Sequence, residues 1–172
     1  MCFLPAAFMI FCLAAADDGA SSGGGSSHRD HTMHSQGTID SRGNEAMGFD
    51  QAKTTHHFVT RKDGGAVRVI AKDAKDKVSV AQIRSHLQEV AKMFAAGDFE
   101  KPEFIHAKNP PGADTMRKLK SEIRYDYQEI PSGAEVLLLS RNPKAVKAIH
   151  DFLVMQITDH KTGDPMPAGH QH

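Results

Sequence analysis

The sequence predicts an α+β domain in which a β-hairpin followed by a long helix occurs twice. Two pairs of strand-like segments are each joined by a turn that contains glycine, and each pair precedes an amphipathic helix. Aligning the two halves of the sequence places Gly65 over Gly133 and, with a gap of two residues, Ile83 over Ile149. A hairpin alone exposes an apolar face, and two hairpins joined in one sheet can bury theirs together. We therefore predict a duplicated β-β-α unit that forms a four-stranded antiparallel sheet with two long helices packed on one face.

The first unit is predicted from two strands, a turn and a helix. Residues 55–61 (THHFVTR) and 66–72 (AVRVIAK) favour strands, and the KDGG sequence between them is typical of a hairpin turn. A helix that ends at Gly97 follows, because apolar residues recur there at helical spacing. These apolar residues are Val80, Ile83, Leu87, Val90, Ala91 and Phe94.

The second unit has the same order of elements. An IRYDYQEI segment and an AEVLLLSR segment, within residues 123–141, are joined by a Pro-Ser-Gly turn. Asn142 is predicted as the N-cap of the next helix and Pro143 as its first residue. Between the units, residues 102–112 are predicted as a Pro-rich connector and residues 113–121 as a short helix. The inner face of the long helix is predicted at Val146, Ile149, Leu153, Gln156 and Ile157.

The chain is predicted to divide into four regions. Residues 1–16, MCFLPAAFMIFCLAAA, form an uncharged apolar run that ends in small residues and is typical of a secretory signal peptide. Residues 17–48 are rich in Gly, Ser and His and are predicted to be a disordered tether. Residues 49–161 are predicted as a single α+β domain and residues 162–172 as a C-terminal tail. A secreted or periplasmic location follows, with an uncleaved N-terminal anchor as the lesser alternative.

Composition excludes several kinds of site and partner. Both cysteines, Cys2 and Cys12, lie in the predicted signal peptide, so a mature chain would lack disulfides, thiolate metal sites and cysteine nucleophiles. Lys and Arg together number 21, as do Asp and Glu. No net charge would therefore attract nucleic acid or, beyond the leader, a membrane. Composition and charge do not exclude a protein partner.

Histidine is the most informative residue type, with eleven in 172 residues. The HRDHTMH tract in the predicted tether combines imidazoles with a thioether, and the C-terminal tail repeats this composition. That combination favours copper, with zinc as the alternative, because Met binds Cu(I) and His binds Cu(II) or Zn(II). The predicted metal ligands in the two tails are His28, His31, Met33, His34, His170 and His172.

A second metal site is predicted in the folded domain at His57, His86 and His106, with Met47 as a candidate soft ligand. Side chains alternate along a strand, so His56 and His57 are expected on opposite faces of the sheet. No spacing among these histidines matches an established metal-binding motif. The site is therefore predicted from residue type and placement alone.

Three segments, residues 47–58, 82–106 and 148–165, resemble a group of small exported bacterial proteins without an assigned mechanism. The resemblance covers nearly all of the predicted domain. Members of that group are sometimes labelled aspartate carbamoyltransferase, but this chain has no Ser-Thr-Arg-Thr type turn of the kind with which carbamoyltransferases hold carbamoyl phosphate. The resemblance implies export and a recurrent histidine pattern, and no reaction.

From these observations we expect an exported metal-handling protein that binds copper through His and Met residues. One alternative is a binding module for a small organic ligand or a partner protein, in which the histidines are structural. Another is a small enzyme that uses His57 or His106 as a general base. The sequence lacks the nucleophile-elbow, P-loop and dinucleotide-binding signatures, which favours binding over catalysis.

Overall fold

The computed structural model describes residue 39 and residues 41–167, and it confirms the α+β class. The strands are β1 (Thr54–Arg61), β2 (Gly64–Ala71), β3 (Ile123–Ile130) and β4 (Gly133–Ser140). They form one antiparallel sheet in the order β1-β2-β4-β3. The helices are α1 (residues 41–47), α2 (Lys77–Ala96), α3 (Glu100–His106), α4 (Ala113–Lys118) and α5 (Pro143–His160), and 3-10 turns at Gln51–Lys53 and Lys120–Glu122 precede β1 and β3.

Both long helices cover the same face of the sheet, and each lies mainly on the hairpin of the other unit. Helix α2 follows the first hairpin in the chain but packs mainly on β3 and β4, whereas α5 packs mainly on β1 and β2. The central strands β2 and β4 pair around Val67 and Val136, whose side chains belong to the core under the helices. The order strand, strand, long helix thus occurs twice, while its origin in a duplication stays a prediction.

Two glycines let the central strands pair closely. Gly64 has a φ of 137°, and a Cβ atom there would meet the carbonyl oxygen of Leu138. A Cβ atom at Gly133 would likewise meet the carbonyl oxygen of Val69. Each glycine opens the second strand of its hairpin. A larger residue at either position would therefore push the two hairpins apart.

The ends of the long helices lie where the sequence predicts them. The carboxylate of Asp76 caps the N-terminus of α2, and the helix ends at Gly97 in the left-handed conformation with a φ of 81°. The side chain of Asn142 caps α5, and Pro143 is its first residue. These caps bind backbone groups that lack partners inside the helix, so they fix where each helix begins or ends.

Two predicted boundaries differ from the structure. Residues 41–47 form α1 inside the segment predicted as a tether, and Ile39 and Met47 are buried in the core. Helix α3 occupies part of the predicted connector at residues 102–112. Pro102 is its third residue, and a proline in the first helical turn loses no intrahelical hydrogen bond. Among the described residues, no helix has the length and apolar character needed to span a membrane.

Candidate functional site

A cavity of about 70 Å³ lies between the sheet and the helices, and four histidines line it. Each histidine comes from a different element: His56 from β1, His86 from α2, His106 from α3 and His160 from α5. Most of the remaining wall is apolar. It includes Met47, Phe58, Val67, Val69, Leu87, Val90, Phe94, Ile105 and Phe152. Gln156 and Lys101 also line it, and the Nζ of Lys101 is ion-paired with Glu89 at 2.9 Å. The cavity is therefore a mainly apolar space whose polar groups are four imidazoles, one amide and one paired ammonium group.

His56 reaches the cavity because of its position in β1, where alternate residues face the helices. Its ring stacks on those of His160 and Phe49, with centroids 5.8 Å and 5.9 Å away. The residue lies on an edge strand and is partly exposed, but its Nε2 atom is buried and hydrogen-bonds to no atom of the described residues. Burial, with repulsion from the other histidines, lowers the pKa of His56 to about 3. The ring is therefore neutral near pH 7.

His86 lies at the border of the apolar stripe of α2 and faces the same cavity. Its ring meets the ring of Phe49 edge-on, with centroids 5.5 Å apart. Burial, and then the positive charge of Lys101, lowers the pKa of His86 to about 4. This second imidazole is also neutral near pH 7.

His106 is held by two hydrogen bonds at the end of α3. Its Nδ1 lies 2.9 Å from Oδ2 of Asp159, and its Nε2 lies 3.0 Å from Oε1 of Gln156. Burial lowers the pKa of His106, although both partners act in the opposite direction. A neutral ring fits if Nδ1–H donates to Asp159 and the Gln156 amide, with its oxygen and nitrogen exchanged, donates to Nε2. Both ring nitrogens are then hydrogen-bonded, so the His106 ring is held in a fixed orientation in the cavity wall.

His160 connects the other histidines. It is the last residue of α5, and its ring stacks on His56 and Phe58, with centroids 5.8 Å and 5.6 Å away. It also meets the ring of His106 edge-on at 5.1 Å. Because α5 lies on the first hairpin, the end of this helix is placed directly against β1.

His57, a predicted metal ligand, lies away from the cavity and is bound by the C-terminal segment. Its Nδ1 lies 3.0 Å from Oδ1 of Asp164, whose Oδ2 accepts a hydrogen bond from the backbone N–H of Phe58 at 2.9 Å. Burial alone would raise the pKa of Asp164, but the hydrogen bonds from Phe58, His57 and Thr162 outweigh it and lower the pKa. Asp164 therefore ties the chain after α5 to the edge of the sheet.

The structure brings together two of the three predicted ligands in the folded domain. His86 and His106 share the cavity, whereas His57 does not line it. Met47, the candidate soft ligand, does line it. The predicted tail ligands His28, His31, Met33, His34, His170 and His172 lie outside the described residues.

The donor set in the cavity does not fit a copper or zinc ion. In the part of the chain that the structure describes, no group of three or more His, Cys, Asp or Glu side chains is placed to hold a metal. The rings of His56 and His160 are inclined by only 9° and are stacked, so the lone pairs in their planes do not converge on one point. Four-coordinate sites need ligand atoms about 2 Å from a common centre.

Sequence reasoning placed His56 on one face of the sheet but did not join it to His160. Strand alternation predicts that His56 and His57 lie on opposite faces of the sheet, but not which of them meets the helices. The contact of His56 with His160 depends on which hairpin α5 covers, and this long-range choice leaves no local signal in the sequence.

Comparison with known proteins finds no relative: no protein-family model matches the chain, and neither curated proteins nor solved structures give a match. The resemblance to small exported proteins therefore stays a prediction from the sequence.

Proposed function

We propose that the folded domain is a binding module for a small, largely apolar organic ligand that occupies the histidine-lined cavity. A volume of about 70 Å³ leaves room for roughly five water-sized positions, enough for a short aliphatic or aromatic group. The apolar wall supports binding through burial of hydrocarbon surface. Because His56 and His86 have strongly lowered pKa values, they present neutral imidazoles at pH 7 and no charge that would oppose an apolar ligand.

The observation that carries this proposal is the buried Nε2 atom of His56. A buried polar atom without a partner costs about 1–3 kcal/mol, so such atoms are rare in folded proteins. A neutral imidazole nitrogen can accept or donate one hydrogen bond, depending on the tautomer. A ligand that places a hydroxyl or similar group beside Nε2 would satisfy it.

Hexan-1-ol is a suitable first probe, since it combines a short apolar chain with one hydroxyl group. We expect it to shift the ring ¹⁵N resonances of His56 in the full chain labelled with ¹⁵N-histidine. The variant His56→Phe keeps a flat ring but removes the nitrogen, and should lower the affinity about 3- to 10-fold, the value of one net hydrogen bond.

The matched control is His57→Gln, which changes the neighbouring imidazole on the other side of the strand. It should leave the affinity for hexan-1-ol unchanged. The proposal is wrong if hexan-1-ol leaves every histidine resonance in place, or if the two variants weaken binding equally.

Copper binding by the two tails is a second proposal, separate from the cavity. It rests on the HRDHTMH tract and on His170 and His172, whose residue types suit Cu(I) and Cu(II). Titration of untagged full chain with Cu(I), Cu(II) and Zn(II) tests it, with a variant whose tails have the same composition in scrambled order as the control. Equal affinity of the two chains would end this proposal.

Catalysis has less support from the geometry. Both ring nitrogens of His106 are hydrogen-bonded, and His57 lies outside the cavity. A general base needs a nitrogen that can reach the substrate.

A further inference from the structure

A groove of about 610 Å³ shares two lining residues, His56 and His160, with the cavity. These two histidines line both spaces, so the stacked pair forms the boundary between them. The groove is built by the turn before β1, the start of β1, the end of β2 and the residues that follow α5. A ligand in the cavity that extends past His56 and His160 would therefore enter this groove.

The chemistry of the groove differs from that of the cavity. Most of the residues that line the groove are polar, including Gln51, Thr55 and Thr162. Two lysines, Lys72 and Lys161, line the groove, against one carboxylate.

The carboxylate and one of the lysines already have backbone partners. Asp50 accepts a hydrogen bond from the N–H of Ala52 at 2.8 Å, where it caps the turn before β1. The Nζ of Lys72 donates to the carbonyl oxygen of Ala52 at 2.8 Å, and an ammonium group has two further N–H donors. Positive charge therefore exceeds negative charge in the groove.

We propose that the ligand of this site is an amphipathic organic anion, with a short apolar tail in the cavity and an anionic head in the groove near Lys72 and Lys161. This inference rests on the proposed binding function of the cavity and adds the class of ligand. The tail gains from burial against the apolar wall, and the head gains from charge-assisted hydrogen bonds with lysine. Neither space alone predicts this class; their shared boundary at His56 and His160 does.

Three probes with the same six-carbon chain separate binding of the apolar tail from recognition of the anionic head. They are hexanoate, hexan-1-ol and hexylamine in its ammonium form. Calorimetric titration of the full chain at pH 7 and low salt should give the order hexanoate, hexan-1-ol, hexylammonium, from tightest to weakest. We expect hexanoate to bind about 5- to 10-fold more tightly than hexan-1-ol, because a hydrogen bond with a charged group contributes more than a neutral one.

The double variant Lys72→Gln with Lys161→Gln should remove the preference for hexanoate and leave the affinity for hexan-1-ol unchanged. The single variant Lys161→Gln leaves the contact of Lys72 with Ala52 in place, and it should remove part of the preference. The matched control is Lys144→Gln, an exposed lysine at the start of α5 outside the groove, which should change neither affinity.

The outcomes distinguish this inference from the function on which it rests. If hexanoate and hexan-1-ol bind equally well and the lysine variants change neither affinity, the cavity binds apolar groups, but the inference that the ligand has an anionic head is wrong. If none of the three probes binds, both the function and the ligand class fail. If only hexanoate binds and His56→Phe leaves its affinity unchanged, binding is confined to the groove and the cavity proposal fails with this one.

Discussion

The two edge strands of the sheet carry a buried polar group at equivalent positions, yet the space around each is used differently. His56 is the third residue of β1, and Tyr125 is the third residue of β3. Neither the Nε2 atom of His56 nor the hydroxyl oxygen of Tyr125 hydrogen-bonds within the described residues. His56 lines the cavity, whereas Tyr125 packs edge-on against Phe94, with ring centroids 6.0 Å apart.

The difference lies in the side chains that the helices supply. Around Tyr125, Phe94 stacks on Phe99 at 4.7 Å, and Phe152 meets both of these rings edge-on at 5.7 Å and 5.9 Å. Around His56, the helices contribute other histidines, and a cavity is left between the walls. One architecture thus contains a densely packed aromatic cluster and, beside it, a mainly apolar cavity with four imidazoles in its wall, and Phe94 and Phe152 belong to both. The former stabilises the fold, and the latter is where binding is proposed.

The largest effect is expected in the aromatic cluster. Phe99 is fully buried, so Phe99→Ala should lower the free energy of unfolding by about 3–5 kcal/mol through lost burial and the void it leaves. Urea denaturation measures this. The control is Phe104→Ala on α3, where about half of the residue is exposed and the change should be below about 1 kcal/mol. Similar losses for the two variants would contradict the contrast between cluster and surface.

The histidine-lined cavity should make stability depend on pH. In the unfolded chain His56 and His86 bind a proton below about pH 6.5, whereas their folded-state pKa values are about 3 and about 4. Keeping these two rings neutral therefore costs no stability well above pH 6.5 and costs progressively more as the pH falls from 6.5 towards 4. The free energy of unfolding should decrease with falling pH, with a slope for each histidine that approaches about 1.4 kcal/mol per pH unit once the pH is well below 6.5.

Chemical denaturation at pH 7, 6 and 5 measures this slope. His56→Phe and His86→Phe should each reduce it, and the double variant should leave only the contribution of His106, whose pKa burial also lowers. Tyr125→Phe occupies the position equivalent to His56 but changes no group that titrates in this range, so its slope should match that of the unmodified chain. A flat profile between pH 7 and pH 5 would show that these two rings are not held neutral by burial.

The two equivalent positions also predict a smaller, shared effect. His56→Phe and Tyr125→Phe each remove a buried polar atom that has no hydrogen-bond partner among the described residues, so each should raise the free energy of unfolding by about 1–2 kcal/mol at pH 7. Only His56→Phe should weaken the binding of hexan-1-ol, because only His56 lines the cavity. A loss of stability in His56→Phe would mean that its Nε2 atom already has a partner in solution.

The smallest effect is expected where the C-terminal segment meets the edge of the sheet. Asp164→Ala removes the acceptor of the His57 and Phe58 hydrogen bonds and should lower stability by about 1 kcal/mol, with faster hydrogen exchange at the Phe58 amide. Asp151→Asn, which affects an exposed ion pair with Lys147 on α5, is the control and should change stability by less than about 0.5 kcal/mol. Equal hydrogen-exchange rates at the Phe58 amide in both variants would show that Asp164 does not hold the C-terminal segment against β1.

Local patterns predicted most of the fold. The hairpins and long helices follow from strand alternation, helical periodicity and the signals at Gly97 and Asn142, all of which act over a few residues. Helix α3 overlaps the segment predicted as a Pro-rich connector, because Pro102 lies in its first turn, where a proline is tolerated. The sequence predicts His86 and His106 at one site but not the cavity itself, since the approach of His160 to His56 is set by the packing of α5 on the first hairpin.

The exchange of long helices between the hairpins makes the two units depend on each other. A fragment that ends near Gly112 would contain the first hairpin but not α5, the helix that mainly covers it, and the remaining fragment would lack α2. Each piece alone would leave apolar sheet surface in water, which neither could hide within itself. The domain should consequently unfold in one cooperative step, and two such fragments should regain structure only when mixed.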